Sequence, residues 1–363
     1  MSVNWRNIWI AALASALLFP GLKAKAQDLH FSQFYYAPMQ LNPALTAVFP
    51  CNTRVIANYR NQWTPALSGS AAFTSYSVSY ESRFTSGYKD YWGIGFNAVR
   101  DQAGTTNFQT TEAQLSASYS KHLGGQRWRG SHYLTAGADF AYVNRGIDFL
   151  QARYGIQNEN GIYDPNIPSG ENFPNDALNY PDLSAGLLWY GQMRQGHGWY
   201  LGVAAHHLNR PDQSFDDSNA DIRIYNRYTV HAGGEIVTGP QWSILPSILY
   251  FNQGPSAQLN GGASLKYYAS KRRGREKAFQ LGVWSRLVNA YVWADEDMSS
   301  TSIGMDAVIL HTRFITQNFN FGFSYDINAS DLTRAAQLNN AFEISVIYTL
   351  CGPEKRSAYC PAF

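Results

Sequence analysis

The chain has 363 residues, a formal net charge of +2, and 15% each of charged and aromatic residues. Ordinary soluble domains carry roughly 25% charged residues, so the composition argues against a conventional soluble domain, and the small net charge identifies no partner because its distribution matters more. Mean hydropathy is −0.31 and no long apolar run follows residue 26, which excludes a helical crossing of a bilayer.

The N-terminus carries Arg6, an apolar run from Ile8 to Leu22, and then Ala24-Lys25-Ala26 ahead of Gln27, the small-residue spacing of a signal-peptidase site. Residues 1–26 read as a cleaved export signal. An uncleaved anchor fits less well, because the run is broken by Pro20-Gly21 and is short for a span of about 20 residues. No cysteine follows the cut, which argues against a lipoprotein. Residues 27–50 come next and are too irregular for a strand. Asn42-Pro43 favours a turn, and Pro43 cannot continue a sheet ladder. This segment is expected to fold into the periplasmic mouth of the barrel formed by residues 51–351 and to plug or narrow it. Phe31, Phe34 and Tyr35 would be packing anchors, with Ser32, Gln33, Asn42 and Pro43 beside them; a flexible leader is the alternative.

Beyond residue 50 the pattern changes to alternation. Residues 113–120 read Ala-Gln-Leu-Ser-Ala-Ser-Tyr-Ser, and such period-two patterning puts one face in apolar and the other in polar surroundings. In chain order, strands are expected over 54–63, 72–80, 91–99, 113–122, 134–142, 183–190, 199–207, 228–237, 242–251, 257–267, 278–287, 303–309, 319–328 and 342–350. That is about fourteen, each near the ~10 residues of a tilted membrane-spanning strand. The expected fold class is all-β, a transmembrane antiparallel β-barrel over residues 51–351 with a C-terminal periplasmic tail at 352–363. An even strand number leaves both termini in the periplasm. The long connections at 144–180, 209–227, 288–301 and 329–341 then face outward, and shorter, often basic ones at 191–198, 238–241 and 270–277 face the periplasm. Asp139, Lys266, Asp306, Asp326 and Glu343 would point into the lumen. A large β-sandwich also alternates, but it would have to fit many Tyr and Phe into a core of limited thickness.

Three cysteines, Cys51, Cys351 and Cys360, lie in a chain bound for an oxidising compartment. The near pair, Cys351 with Cys360, is the expected bridge, closing a small loop after the last strand and contributing about 2–3 kcal/mol; free thiols or a pairing through Cys51 remain open. Gly93-Ile-Gly95-Phe-Asn-Ala98 matches a loose dinucleotide fingerprint, but alternation runs straight through it where a strand-to-helix turn is needed. These glycines read as small lumen-facing residues. His206-His207 should point to opposite faces of a strand, and the acidic run 212–221 lacks calcium-loop spacing. Neither a G-x-S-x-G elbow nor an H-E-x-x-H pair occurs. No enzyme activity, cofactor or metal is expected. The basic turn Lys271, Arg272, Arg273, Arg275 and Lys277 reads as solvated, with docking to an acidic periplasmic partner as the sharper possibility.

The mature start, Gln27-Asp28-Leu29-His30-Phe31-Ser32-Gln33-Phe34-Tyr35 followed by Leu41-Asn42-Pro43-Ala44, closely resembles the opening of the PorP/SprF family of the Bacteroidetes type IX secretion system. Further matches are Tyr59-Arg60-Asn61-Gln62-Trp63, Gly322 to Ser330, Phe342-Glu343-Ile344-Ser345 and the closing Cys360-Pro361-Ala362-Phe363. The resemblance implies an outer-membrane barrel of fourteen strands, similar to long-chain fatty-acid transporters. It also implies a role in secretion and gliding, anchoring or presenting an exported cargo such as a surface adhesin and contacting periplasmic components of the machine. The 144–180 connection, with Tyr154, Tyr163, Asn166 and Tyr180, is the expected cargo-facing surface, since long outer loops carry specificity. Passage of a small or hydrophobic solute is the alternative function. Outer-membrane lipid is an implied contact, and nucleic acid is excluded by the compartment.

Overall fold

A computed structural model of the chain describes residues 28, 30–63, 72–87, 89–126, 130–159, 162–164, 166–170, 175–193, 196–215, 222–271, 276–291, 301–330 and 340–351. The proposed export signal, the C-terminal tail, Cys360, Arg272, Arg273 and Arg275 lie outside the described residues.

The strands in chain order are β1 (Thr53–Gln62), β2 (Phe73–Ser86), β3 (Asp90–Ala103), β4 (Phe108–Gln126), β5 (Gly130–Gly146), the two-residue pair β6 (Asn158–Glu159) and β7 (Ile162–Tyr163), β8 (Ala177–Gln192), β9 (Gly198–His206), β10 (Arg227–Val237), β11 (Trp242–Gln253), β12 (Ser256–Ser270), β13 (Lys277–Tyr291), β14 (Thr301–Ile315), β15 (Phe319–Asn328) and β16 (Ala341–Leu350). All but β6 and β7 join neighbour to neighbour in one antiparallel sheet, and β1 closes it by pairing with β16 from Thr53↔Leu350 to Gln62↔Ala341. The molecule is therefore a closed barrel of fourteen strands, not a sandwich. Closure leaves no open edge, which is what allows a sheet to exist in hydrocarbon.

The alternation sorts the two faces. Trp92, Ile94 and Phe96 on β3 and Phe319, Phe321 and Phe323 on β15 are exposed on the outer wall, while their neighbours Gly93, Gly95, Asn97 and Ser324 are buried inside. Outward aromatic pairs ring one end of the barrel: Trp92 with Tyr119 at 4.6 Å, Trp189 with Trp199 at 4.6 Å, Trp242 with Tyr267 at 4.8 Å and Phe319 with Tyr348 at 4.9 Å. Such girdles mark the membrane interface of transmembrane barrels. The connections at this end, here the turn end, are all short; at the other, the loop end, the long connections 147–176 and 207–226 stand beside the short turns 104–107 and 254–255.

One strand departs from simple alternation. The register between β13 and β14 slips at Asp306, so Arg286 faces Ala307 while Leu287 faces Met305. This bulge reverses the parity of β14. Ile303 and Met305 lie on the outer wall, whereas Ala307, Ile309 and His311 are buried inside. The expected continuous alternation over 303–309 therefore does not hold, although Asp306 still reaches Arg286 at 3.3 Å.

The disulfide differs from the expected near pair. Cys51 is bonded to Cys351, with their Cα atoms 4.3 Å apart, so Cys351 is not available to Cys360. The reason is register: closure puts Thr53 opposite Leu350, bringing the residues just outside both strands together. The bridge is a clasp on the closing seam. Non-reducing peptide mapping should recover Cys51 linked to Cys351 with Cys360 alkylatable, and Cys51→Ala should lower stability by about 2–4 kcal/mol; a Cys351–Cys360 peptide contradicts this arrangement.

Candidate functional site

The barrel is not hollow. Residues 28–52, here called the strap, run inside it, and Phe31 through Phe49 are buried apart from the half-buried Gln40. The segment forms two short 3-10 turns, Phe34–Tyr36 and Pro43–Leu45, and one helical turn, Pro38–Leu41. Asn42 holds the bend before Pro43: its side chain accepts from the Ala44 N–H at 2.9 Å and donates to the Leu187 and Val203 carbonyls at 3.1 and 3.2 Å. An Asn-Pro turn thus becomes an attachment to β8 and β9.

The strap spans the length of the lumen. Asp28 sits at the loop end, where its carboxylate meets His207 Nε2 at 2.5 Å and an Arg227 guanidinium N–H at 3.2 Å, and its backbone N–H donates to Gln253 Oε1 at 3.1 Å. Ala47 sits near the turn end, its N–H donating to Glu81 at 2.8 Å. The expected position at one mouth is therefore too shallow. The barrel's own strand ends meet at the turn end, whereas Asp28 lies at the opposite end, so the segment from Asp28 to Phe49 covers the distance between.

Two ionic clusters fix the strap. Toward the loop end, Arg60 meets Glu343 at 2.6 Å and Arg286 meets Asp326 at 2.8 Å. Glu343 also accepts from the Ser32 and Gln33 N–H groups at 2.6 and 2.9 Å, and the Ser32 hydroxyl donates to Asp326 at 2.5 Å and receives Arg60 at 2.6 Å. Two buried arginines and two buried carboxylates pair here, with the half-buried Asp306 also on Arg286, and Glu343 takes two strap peptide N–H groups, while Arg286 Nε and Asp326 Oδ1 find no partner among the described residues. Near the turn end, Arg54 grips Glu81 with two bonds of 2.9 Å, Arg83 donates to the Phe49 carbonyl at 2.7 Å, and Arg54 stacks 4.6 Å from the Phe49 ring. Between the clusters, Phe34, Tyr35, Tyr36, Leu41, Leu45 and Val48 form one apolar core with Ile56, Leu188, Leu249, Trp284, Ile309 and Ile347 of the wall.

The wall is shaped to the strap by missing side chains. A Cβ at Gly93 would lie 2.6 Å from Ala47 and from the Thr46 carbonyl, and one at Gly322 would lie 2.7 Å from the Tyr36 ring. A Cβ at Gly137 would strike the Pro43 carbonyl, and one at Gly186 the Asn42 amide. The glycines of the dinucleotide-like run are thus contact positions for the strap. A cavity of about 120 Å³ remains beside it, lined by Asp101, Glu112, Asp139, Asp182, Arg145 and Arg227 among others, room for a few waters rather than an open pore.

His206 and His207 do not point to opposite faces. His207 leaves the strand with φ +57°, and both rings are buried against the strap: His206 near the Leu41 carbonyl at 3.4 Å, His207 between Asp28 and Asp182 at 2.5 and 2.7 Å. Among the described residues no group of His, Cys, Asp or Glu is arranged to hold a metal ion. Burial opposes the charged imidazolium of His207, but the two carboxylates prevail and raise its pKa to about 10.

The expected cargo-facing residues do not form one surface. Tyr180 belongs to β8 and is buried in a small inner cluster with Ala141, Val143 and Ile224, because the strand starts at Ala177, earlier than the alternation suggested. Tyr154 and Tyr163 are half-buried in the connection after β5, with Arg153 4.9 Å over the Tyr163 ring, and Asn166 is exposed. Of the basic turn, Lys271 and Lys277 are exposed at the turn end, Lys271 lying 4.3 Å over Tyr268. Of these described residues only the inward Tyr180 comes near the strap, lining the same cavity as Asp28 and Gln40. Sequence reasoning missed Arg54, Glu81 and Arg286, met Arg60 only within a family motif and read His207 as facing away from His206; the parity of β1, which turns Arg54, Ile56, Asn58 and Arg60 inward together, could have signalled Arg54 and Arg60.

A closed, strap-filled barrel with an apolar exterior and aromatic girdle is a transmembrane barrel protein. The family model for the type IX secretion system membrane protein PorP/SprF matches residues 23–348, and the chain belongs to that family. A barrel of a secretion-system membrane family is an outer-membrane protein. No curated protein sequence matches the chain. Solved structures with a similar barrel include CdiB from Escherichia coli (8% identity, TM-score 0.45, 83% of this chain and 63% of that one), the CymD monoaromatic hydrocarbon channel (12%, 0.44, 88% and 94%) and a Pseudomonas aeruginosa FadL homologue (10%, 0.40, 85% and 92%). The chain thus spans less than two thirds of the CdiB length, and at these values the likenesses carry no argument.

Two tests address the strap. Gly186→Val should cost roughly 1–3 kcal/mol through overpacking against Asn42 and make residues 28–50 protease-sensitive, while Gly261→Ala, whose Cβ would meet nothing within 4 Å, should change neither; equal behaviour of the two contradicts a fitted strap. The second is pH. Because the folded pKa of His207 is raised, its hold on Asp28 is complete below the ordinary histidine value of 6.5 and is lost as pH rises through about 10. A nitroxide at position 30 should be immobile near neutrality and gain mobility above about pH 10; mobility unchanged at higher pH contradicts the latch.

Proposed function

We propose that this protein is a non-enzymatic component of type IX secretion that anchors or presents an exported cargo protein at the cell surface, rather than a conduit for solutes. In this reading the loop end faces outward and offers the connections at 147–176 and 207–226 to the cargo. The turn end, with its lysine- and arginine-rich 271–277 connection, faces periplasmic components of the machine. Surface-adhesin cargo and a part in gliding belong to the same proposal. The observation that carries it is the filled lumen. A strap held by two buried ionic clusters along its length occupies the space a solute would need.

Family membership supports the secretion context, and the barrel's two unlike ends supply separate surfaces for two kinds of partner. The solute-channel alternative requires the strap to leave. In planar bilayers the full-length protein is expected to show no steady conductance, and deletion of residues 28–44 is expected to open one. Steady conductance by the intact chain contradicts the anchoring reading. In cells, crosslinking followed by purification should recover an exported surface protein; solute uptake dependent on this barrel, with no protein partner, would support the channel instead.

A further inference from the structure

The wall holds the strap largely by its backbone. Besides Glu343 on the Ser32 and Gln33 N–H groups, Asn58 donates to the Tyr36 carbonyl at 2.8 Å, Arg227 to the Gln40 carbonyl at 3.0 Å, Ser118 to the Thr46 carbonyl at 2.7 Å and Arg83 to the Phe49 carbonyl at 2.7 Å, while Glu81 accepts from the Ala47 N–H. These side chains come from β1, β2, β4, β10 and β16, so the grips surround the lumen. A peptide with little secondary structure of its own carries unpaired N–H and C=O groups, and a dry interior must pair them. Here side chains of the barrel do so.

Side-chain selectivity is layered on top. Toward the loop end the strap supplies Phe31 and Phe34, and deeper in the lumen Tyr35 and Tyr36, the Tyr36 ring meeting His311 and the space left by Gly322. Farther along it supplies Pro43, Ala44 and Ala47, where Gly137 and Gly93 allow close approach, and then Phe49 beside Arg54 at the turn end. Apart from its hydrogen bonds, the strap is tied to the barrel covalently only through residues 50–52. Asp28 lies at the far end.

Backbone grips around a channel, with aromatic pockets and close-approach positions at set points along it, are the elements of a peptide-binding site. We propose that the lumen is a polypeptide-binding site, that residues 30–49 are its built-in ligand, and that it accepts in trans a segment of the same chemistry from a second polypeptide: an aromatic cluster followed by an Asn-Pro bend and small residues. The proposal concerns the lumen alone and stands or falls separately from the cargo role of the loops.

The test uses the full-length, disulfide-closed protein. A protease recognition sequence inserted at the exposed Pro50, ahead of Cys51, allows the strap to be cut from the folded barrel with both pieces present. A fluorescent synthetic peptide of residues 28–50 is then added in excess. The expected result is that the cut strap stays bound, that labelled peptide replaces it one for one, and that a scrambled peptide does not compete. Ser118→Ala should speed the exchange roughly fivefold and Glu343→Gln at least about tenfold, as loss of a neutral and a charge-assisted hydrogen bond respectively; if Glu343→Gln fails to fold, Ser118→Ala alone carries this arm. A cut strap that never exchanges, a vacated lumen that does not take the peptide, or equal competition by the scrambled peptide would each overturn the proposal.

Discussion

Closing the sheet settles the backbone and leaves the inward side chains as the open problem. Once β1 is paired with β16, every strand has two neighbours, and the wall needs nothing further for its peptide groups. The interior is another matter, because Arg54, Arg60, Glu81, Arg286, Asp326 and Glu343 all face it and are buried. Buried charges persist only when paired and hydrogen-bonded. Glu343 shows how the pairing is achieved: it takes Arg60 from the neighbouring strand and two peptide N–H groups from the strap. Wall and occupant complete each other.

That mutual dependence explains the disposition of small residues. Gly93, Gly137, Gly186 and Gly322 weaken a strand by their lack of side chains, and each stands where the strap approaches most closely. Intrinsic strand preference gives way to fit. The Cys51–Cys351 bond sits where strap, first strand and last strand converge, so the closing seam and the root of the strap are secured at one place.

Much of this was legible in the sequence, because period two is a direct consequence of strand geometry. All fourteen barrel strands, the inward and outward faces of most of them, and the aromatic exterior follow from it, while the family was legible separately, in the resemblance carried by the motif at Gln27–Tyr35. What failed did so where alternation is locally broken or where contacts are distant in sequence. The bulge at Asp306 reverses β14, and the left-handed turn at His207 sends both histidines inward. Tyr180 looked like a loop residue because β8 extends past its most regular stretch. Cys51 and Cys351 are 300 residues apart, and only barrel closure makes them neighbours. The strap's irregularity correctly argued against a strand, yet nothing local tells how far inside the barrel such a segment reaches; that depends on Glu343, Arg227 and His207, contributed by strands far along the chain.

For a member of the PorP/SprF family, an occupied lumen separates the two ends of the molecule into distinct surfaces and makes the strap the element on which any change in the interior must act. The central claim is that this segment runs the full length of the barrel. A photocrosslinking amino acid in place of His30, whose ring lies 5.2 Å from that of Phe251, tests it most directly. Mass spectrometry of the crosslinked full-length protein should find the linkage on β11 near Phe251, at the loop end. Linkage to the opposite end of the same strand, near Ile244, or no linkage to the barrel at all, would contradict the account.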